Sequence, residues 1–310
     1  MITDINIEER LAPAMQAFKD NHTSEAVDIA RAALTKMRTD AGADWAAVIK
    51  LLRETELFKL SQLCPFTSHS FKKPRGYPGN ALLLDWIYQD FRLQNKPAVN
   101  SMSAVVYSNI TTCPPAQAVS WRKQHLANLI DDAARQTPNA RVLAVASGHM
   151  READFSIALQ RGLINELVAL DQDPVSLSEV ELRYTSQGMP VKPMHASIRD
   201  LIAGRSQVSD FDLIYSAGLY DYLDDKVAKR LSAVLFDALR PGGRLILTNF
   251  LKGTQDTGWA EAFMDWFLIY RDQADIEAFA DDIPKDQIAR LHNYQCPTRS
   301  IGYVSIRKKL

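Results

Sequence analysis

The sequence predicts a doubly wound α/β sheet, mostly parallel and seven-stranded, behind an N-terminal helical region. Three observations predict it. From Ala140 onward, short apolar runs alternate with helical stretches, the pattern of parallel strands joined by right-handed crossovers. Five runs read as strands: RVLAVA (141–146), ELVALD (166–171), VKPMHA (191–196), FDLIYSA (211–217) and RLILTNF (244–250). Two weaker runs, near 291–295 and 302–306, follow a helical stretch at 259–271 and bring the number to seven.

Upstream of Ala140 the period changes. In DWAAVIKLLRETELFKLSQL the apolar positions Trp45, Val48, Ile49, Leu52, Leu57, Leu60 and Leu63 recur three and four apart, which is one face of a helix. Cys64-Pro65 closes that pattern, because a proline disfavours helix in the residue before it. PFTSHSFKKPRGYPGN (65–80), with three prolines and two glycines, reads as a loop. ALLLDWIYQDFRL resumes helical spacing, and Ala116 to Arg135 reads as one amphipathic helix with Val119, Leu126, Leu129 and Ile130 on one side. The expected division is therefore a helical region at 1–115, covering a pocket and setting specificity, and a sheet domain at 116–310.

Composition narrows the function. A hydrophobic content of 46% over 310 residues supports a full core and about two domains. Lys+Arg 36 against Asp+Glu 37 gives a net charge of -1, so neither nucleic acid nor an anionic membrane is an expected partner. The longest basic run, Arg307-Lys308-Lys309, reads as a solvated tail. Cys64, Cys113 and Cys296 lie far apart with no CxxC spacing, so no metal site is expected and a reducing compartment is. The N-terminus lacks an apolar core, and no run approaches the ~20 apolar residues of a membrane span. The expectation is a soluble, cytoplasmic protein. Its oligomeric state is not legible.

In an open α/β sheet, ligands bind beyond the carboxyl ends of the strands. After the first strand come Ala146, Ser147, Gly148, His149, Met150, Arg151 and Glu152. One glycine lets an adenosine approach closely, whereas a dinucleotide pyrophosphate wants several; a simple tight turn is the alternative. His149 is a candidate general base, or a helix cap. Glu152 is a candidate acceptor for an ammonium group, or a stabiliser of a helix N-terminus. The second strand ends at Asp171 with Gln172, where an acid can take both ribose hydroxyls; Asp173, ahead of Pro174, suits a helix cap. Ala196 and Ser197 follow the third strand and leave room for an adenine ring. Ser216, Ala217 and Gly218 follow the fourth, with Tyr220 and Tyr222 flanking Asp221. One of those tyrosines is expected to face the reacting centre. Asn249 ends the fifth strand, where an amide can orient a nucleophile. LRPGG (239–243), ahead of that strand, reads as a structural turn.

Outside the sheet, Arg75, Gly76 and Tyr77 lie in the proline-bounded loop. Arg75 is a candidate for holding a carboxylate, and Tyr77 for closing over a cation. Tyr107 is a candidate pocket residue. Trp259, Phe263, Trp266 and Tyr270 are spaced four, three and four apart, one helix face that serves either as core or as a wall of the site.

These residues together resemble the class I S-adenosylmethionine-dependent methyltransferases. The acidic end of the second strand, the ALRPGGRLIL turn and the paired terminal strands carry the resemblance. The first motif departs from the glycine-rich form and reads VLAVASGHMREA. In this it is similar to one subgroup, the enzymes that form 3-hydroxypalmitate methyl ester, as are FKKPRGYPGNALLLDWIY and NFLKGTQDTGWAEAFMDWFLIYR. The resemblance covers about residue 60 to the end. It implies a Rossmann-like methyltransferase sheet, S-adenosyl-L-methionine as cofactor, and methyl transfer to a small-molecule substrate by in-line displacement at the sulfonium, in specialised metabolism. Azetidine-2-carboxylic acid synthases look similar too; in them the cofactor's own amine attacks its γ-carbon and methylthioadenosine leaves. A non-catalytic nucleoside-binding module is the remaining alternative.

Overall fold

The computed structural model describes residues 6–89 and 101–310, and its backbone divides into two compact units. One comprises Met1–Val119 with Thr254–Phe267; the other comprises Ser120–Gly253 with Leu268–Leu310.

The first unit is helical: α1 (Ile7–Lys19), α2 (Thr23–Ala41), α3 (Trp45–Leu52), α4 (Glu56–Gln62), α5 (Pro65–Lys72), α6 (Ala81–Ile87), α7 (Met102–Thr111) and the first turns of α8 (Pro114–Gln136). Side-chain caps start four of them, with Asn6, Thr55, Asn80 and Ser101 each accepting a backbone N–H. The expected loop at 65–80 is shorter than predicted. Pro65 takes the first position of α5, where its missing N–H costs nothing, and Lys73 (φ 49°) ends that helix. Only 73–80 is loop, and it holds Arg75 and Tyr77, both half-buried.

Residues 254–267 complete this unit, although their sequence reads as part of the sheet domain. Their short helix α13 (Thr257–Phe263) buries Trp259 and Phe263, whose rings meet edge to face at 5.1 Å. Three carboxylates along the segment each meet an arginine of the helical region. Asp256 holds Arg31 at 2.5 Å, Glu261 holds Arg38 at 2.6 Å, and Asp265 holds Arg53 at 2.6 Å and also Lys73. Glu261 additionally accepts from the Trp45 indole at 2.7 Å. Gly258 lies flat against α2: a Cβ there would stand 2.4 Å from the backbone of Leu34. The predicted helix at 259–271 therefore stops at Phe263. Asp265 turns left-handed (φ 50°) with its carboxylate already engaged, and Trp266 N–H closes back on the Ala260 carbonyl. So Trp266 and Tyr270 do not continue the face of Trp259 and Phe263.

The second unit is a seven-stranded sheet in the order β3-β2-β1-β4-β5-β7-β6. Its strands are β1 (Arg141–Val145), β2 (Glu166–Asp171), β3 (Val191–His195), β4 (Phe211–Ser216), β5 (Leu239–Phe250), β6 (Ile288–Gln295) and β7 (Ile301–Lys308). The first five pair in parallel; β7 runs antiparallel between β5 and β6. The predicted strands are all present. LRPGG proves to be the start of β5, with a register shift opposite Phe211–Leu213. Arg307 and Lys308 belong to β7 rather than to a free tail.

Short helices follow the strands: α9 (Ile157–Gln160), α10 (Pro174–Arg183), α11 (Ile198–Ile202), α12 (Asp225–Asp237) and, before β6, α14 (Gln273–Glu277). On one face, α11, α12 and α14 bury Leu201, Leu231, Leu235, Phe236 and Ile276 against Leu143, Leu245, Leu247, Val304 and Ile306. At period two the neighbouring residues face the other way. There, Trp121 and His125 of α8 pack edge-on against Tyr303 of β7. Among the described residues, no helix is long and apolar enough to cross a membrane.

Candidate cofactor-binding site

The strand order reverses between β1 and β4, and the register brings the carboxyl ends of β2, β1 and β4 level. Val145 pairs with Leu170 on one side and with Ser216 on the other. This is the switch point where open α/β sheets bind ligands.

The loop after β1 turns through three left-handed residues, Ala146 (φ 55°), Gly148 (φ 54°) and Met150 (φ 52°). Two of them carry side chains, so the conformation costs free energy that the surroundings must offset. Asp171 supplies much of that restraint. One of its carboxylate oxygens accepts from the Gly148 N–H at 2.8 Å and the other from Asp173 N–H at 2.8 Å, while Ser147 N–H reaches the Leu170 carbonyl at 3.1 Å. Asp171 is 8% exposed, and burial pushes its pKa up while the two backbone donors hold it down. Asp173 caps α10 as expected, accepting from Val175 N–H at 3.0 Å.

Glu152 is buried beside this loop and accepts from the Tyr215 hydroxyl at 2.7 Å. Burial raises the pKa of both groups. The sequence reading missed Arg122. It is 3% exposed on α8, with its guanidinium 3.5 Å from where a Cβ on Gly218 would stand. Its charge favours the ionised forms of Glu152 and Asp221. The signal was available: Val119, Arg122, Leu126 and Leu129 share the helical spacing of the buried face, and an arginine seldom occupies such a position without a polar task.

The other predicted residues separate into several groups. Ser216 is fully buried, with its hydroxyl on the Val145 carbonyl at 3.1 Å; Ala217 and Gly218 are half-buried, the latter at φ 99°. Ala196 is buried, and Ser197 caps α11 in a reciprocal box with Asp200, donating to it at 2.6 Å. Gln172 is exposed, and its carbonyl takes His195 Nε2 at 3.2 Å. His149 is buried, with Arg151 donating to its Nδ1 at 3.3 Å and Arg151 in turn on Glu179 at 2.8 Å. A ring nitrogen occupied by a guanidinium is poorly placed to collect a substrate proton.

Two catalytic candidates are corrected. Tyr220 points into the core: it is fully buried, its hydroxyl meets Ser232 at 3.0 Å, and its ring packs on Phe279 at 4.8 Å. Tyr222, its neighbour, is exposed. Asn249 is also committed to the fold. Its amide donates to the carbonyls of Phe250 and Ile269, both at 2.8 Å, and its oxygen accepts from Arg271 at 2.8 Å. Arg75, Tyr77, Tyr107 and Trp259 belong to the helical unit, where Tyr107 donates to the Trp86 carbonyl at 2.9 Å and Trp259 is core. Tyr270 is half-buried in the sheet unit.

Asp221, between the two tyrosines, is 2% exposed and accepts from Phe250 N–H at 2.6 Å. Burial raises its pKa from 3.8 to about 6, against the opposing pull of that N–H, Arg122 and Arg271. The folded chain therefore holds a proton between about pH 4 and pH 6 that the unfolded chain has released. The stability owed to this group is fully present below pH 4 and is lost as pH rises through 6. Asp221→Asn is expected to flatten that slope, read as urea midpoints at pH 4, 5, 6 and 7. An unchanged slope would assign the proton elsewhere.

No family model and no curated protein matches the chain. Solved structures do match. A possible exported protein from Bordetella parapertussis superposes with a TM-score of 0.62 at 19% identity, covering 87% of this chain and 97% of that one. The apo form of the S-adenosylmethionine-dependent methyltransferase SibL gives 0.48 at 15% identity, over 89% and 77%. The N-methyltransferase NodS of Bradyrhizobium japonicum WM9, in complex with S-adenosyl-L-homocysteine, gives 0.44 at 16%, over 60% and 86%. The strand order, the antiparallel β7 and the first of these likenesses establish the fold of the sheet unit: a doubly wound, Rossmann-like, mostly parallel seven-stranded sheet.

Proposed function

We propose that the chain binds S-adenosyl-L-methionine at the carboxyl ends of β1 to β4 and transfers its methyl group to a small molecule. The observation that carries this reading is the Asp171 carboxylate, buried at the end of β2 and fixed to the Gly148 N–H at 2.8 Å. Each of its oxygens accepts one backbone donor and keeps a further lone pair, so the pair fits two vicinal ribose hydroxyls. The half-buried Ala146, Gly148, Ala217 and Gly218 fit a nucleoside that must approach the backbone. Ser147 Oγ is buried without a hydrogen-bond partner among the described residues, a further polar group available in the same loop. Arg122 and Glu152 offer opposite charges for the carboxylate and ammonium of an amino-acid moiety. Bound there, the cofactor supplies an electrophilic carbon on a sulfonium. The residues contribute orientation and a dry, charged setting. A net charge of -1 fits a small acceptor better than nucleic acid or an anionic membrane.

The test is product identification with pure protein and S-adenosylmethionine. Methyl transfer predicts no turnover until an acceptor is added, then S-adenosylhomocysteine. Methylthioadenosine with azetidine-2-carboxylic acid, formed without acceptor, would replace methyl transfer by intramolecular cyclisation. Binding without any turnover over a broad acceptor panel would make the chain a nucleoside-binding module, and absence of binding would overturn all three.

A further inference from the structure

At the opposite end of the sheet, three arginines stand in one row. In the antiparallel register Arg244 of β5 faces Arg307 of β7, and Arg307 faces Arg290 of β6. Directly opposed residues share a sheet face, and like charges there destabilise the pairing. None of the three forms an ion pair among the described residues; Arg307 makes one long contact, 3.4 Å, to the amide oxygen of Gln136 on α8. Two carboxylates near the row, Asp212 and Asp132, are engaged elsewhere. Asp212 accepts from Arg141 N–H at 2.8 Å and from Arg240 at 3.1 Å, and Asp132 holds Arg135. Burial and the neighbouring Arg307 lower the pKa of Arg244, while Asp132 and Tyr294 oppose them. Tyr294 itself is hydrogen-bonded to His125 at 2.8 Å.

Arg244 and Arg307 line a cavity of about 230 Å³, together with Gln136, Thr137, Asp212 and Gly242. That is below the ~300–1,000 Å³ of drug-sized sites, and it suits a small tetrahedral ion better than a polymer. Guanidinium groups match such oxygens in both charge and fork geometry.

We propose that this cavity is an oxyanion site, in which a phosphate ion bridges Arg244 and Arg307 and offsets the repulsion between them. It is separate from the candidate cofactor site, lying at the amino-terminal ends of β4 and β5 rather than their carboxyl ends.

The test is thermal unfolding of the full chain in inorganic phosphate against chloride at matched ionic strength, with Arg307→Gln and Arg244→Gln beside wild type. General salt exclusion from the surface raises all three alike, so the difference between proteins reads the site. Wild type is expected to gain several degrees more than either variant in phosphate. In chloride, Arg307→Gln is expected at or above wild type, because it relieves like-charge repulsion. Phosphate affinity by calorimetry is expected to fall at least tenfold in each variant. Arg307 is exposed at a strand end, so Arg307→Gln carries the test if Arg244→Gln does not fold. Equal phosphate gains in wild type and Arg307→Gln, or phosphate binding of unchanged affinity, overturn the proposal.

Discussion

Arg271→Ala is expected to destabilise the sheet unit by about 3–5 kcal/mol, from three buried neutral acceptors left unsatisfied at about 1–3 kcal/mol each and a cavity. The residue is 2% exposed, and its guanidinium is shared among four acceptors. It donates to the Tyr220 carbonyl at 2.9 Å, the Leu223 carbonyl at 2.6 Å, Asn249 Oδ1 at 2.8 Å and Asp225 at 2.8 Å, and it packs over the Phe279 ring. The Asp225 contact contributes least, because that carboxylate is largely in water. The cost comes from carbonyls left unsatisfied inside the fold and from the cavity. Arg271→Lys is expected to recover only part of it, since an ammonium on one stem cannot span four diverging acceptors. Urea unfolding of the three proteins measures both. A loss under 1 kcal/mol for alanine would mean that water replaces the guanidinium.

Asp171→Ala is expected to weaken S-adenosylhomocysteine binding by about 1.5–3 kcal/mol, the worth of hydrogen bonds to a charged group, which is roughly a 10- to 150-fold rise in Kd. Asp171→Asn is expected to fare little better despite its matching shape. Its NH₂ group would have to face either the Gly148 or the Asp173 N–H, donor against donor. Isothermal titration calorimetry decides. Wild-type affinity in both variants would remove the ribose from this carboxylate and with it the proposed cofactor geometry.

Much of the sheet was legible because its strands are short apolar runs with turn signals between them, and burial on both faces leaves little alternative. Asp173 before Pro174 was readable as a cap for a local reason, and Asp171 could be placed at a strand end by counting. What failed depended on contacts distant in sequence. Nothing near Phe263 says that the helix stops; the cause is Asp265, whose carboxylate is claimed by Arg53 and Lys73 some two hundred residues earlier. Tyr220 and Tyr222 looked alike in the sequence, yet a single-turn 3₁₀ segment sends one into the core and the other into solvent. Arg122 was passed over because the eye reads a helix face for its apolar members. Pro65 was read as a helix stop when it is also a helix start.

The discontinuity of the helical unit has a consequence for how the protein is made. A chain leaving the ribosome presents Arg31, Arg38 and Arg53 long before Asp256, Glu261 and Asp265 are synthesised, and the surface of α2 that receives Gly258 stays uncovered for the same interval. Residues 1–119 are thus an unfinished module at the moment when amino-terminal domains ordinarily complete themselves. Its completion comes late in synthesis, waiting on a fourteen-residue clasp that is made only after five strands of the neighbouring sheet have been translated.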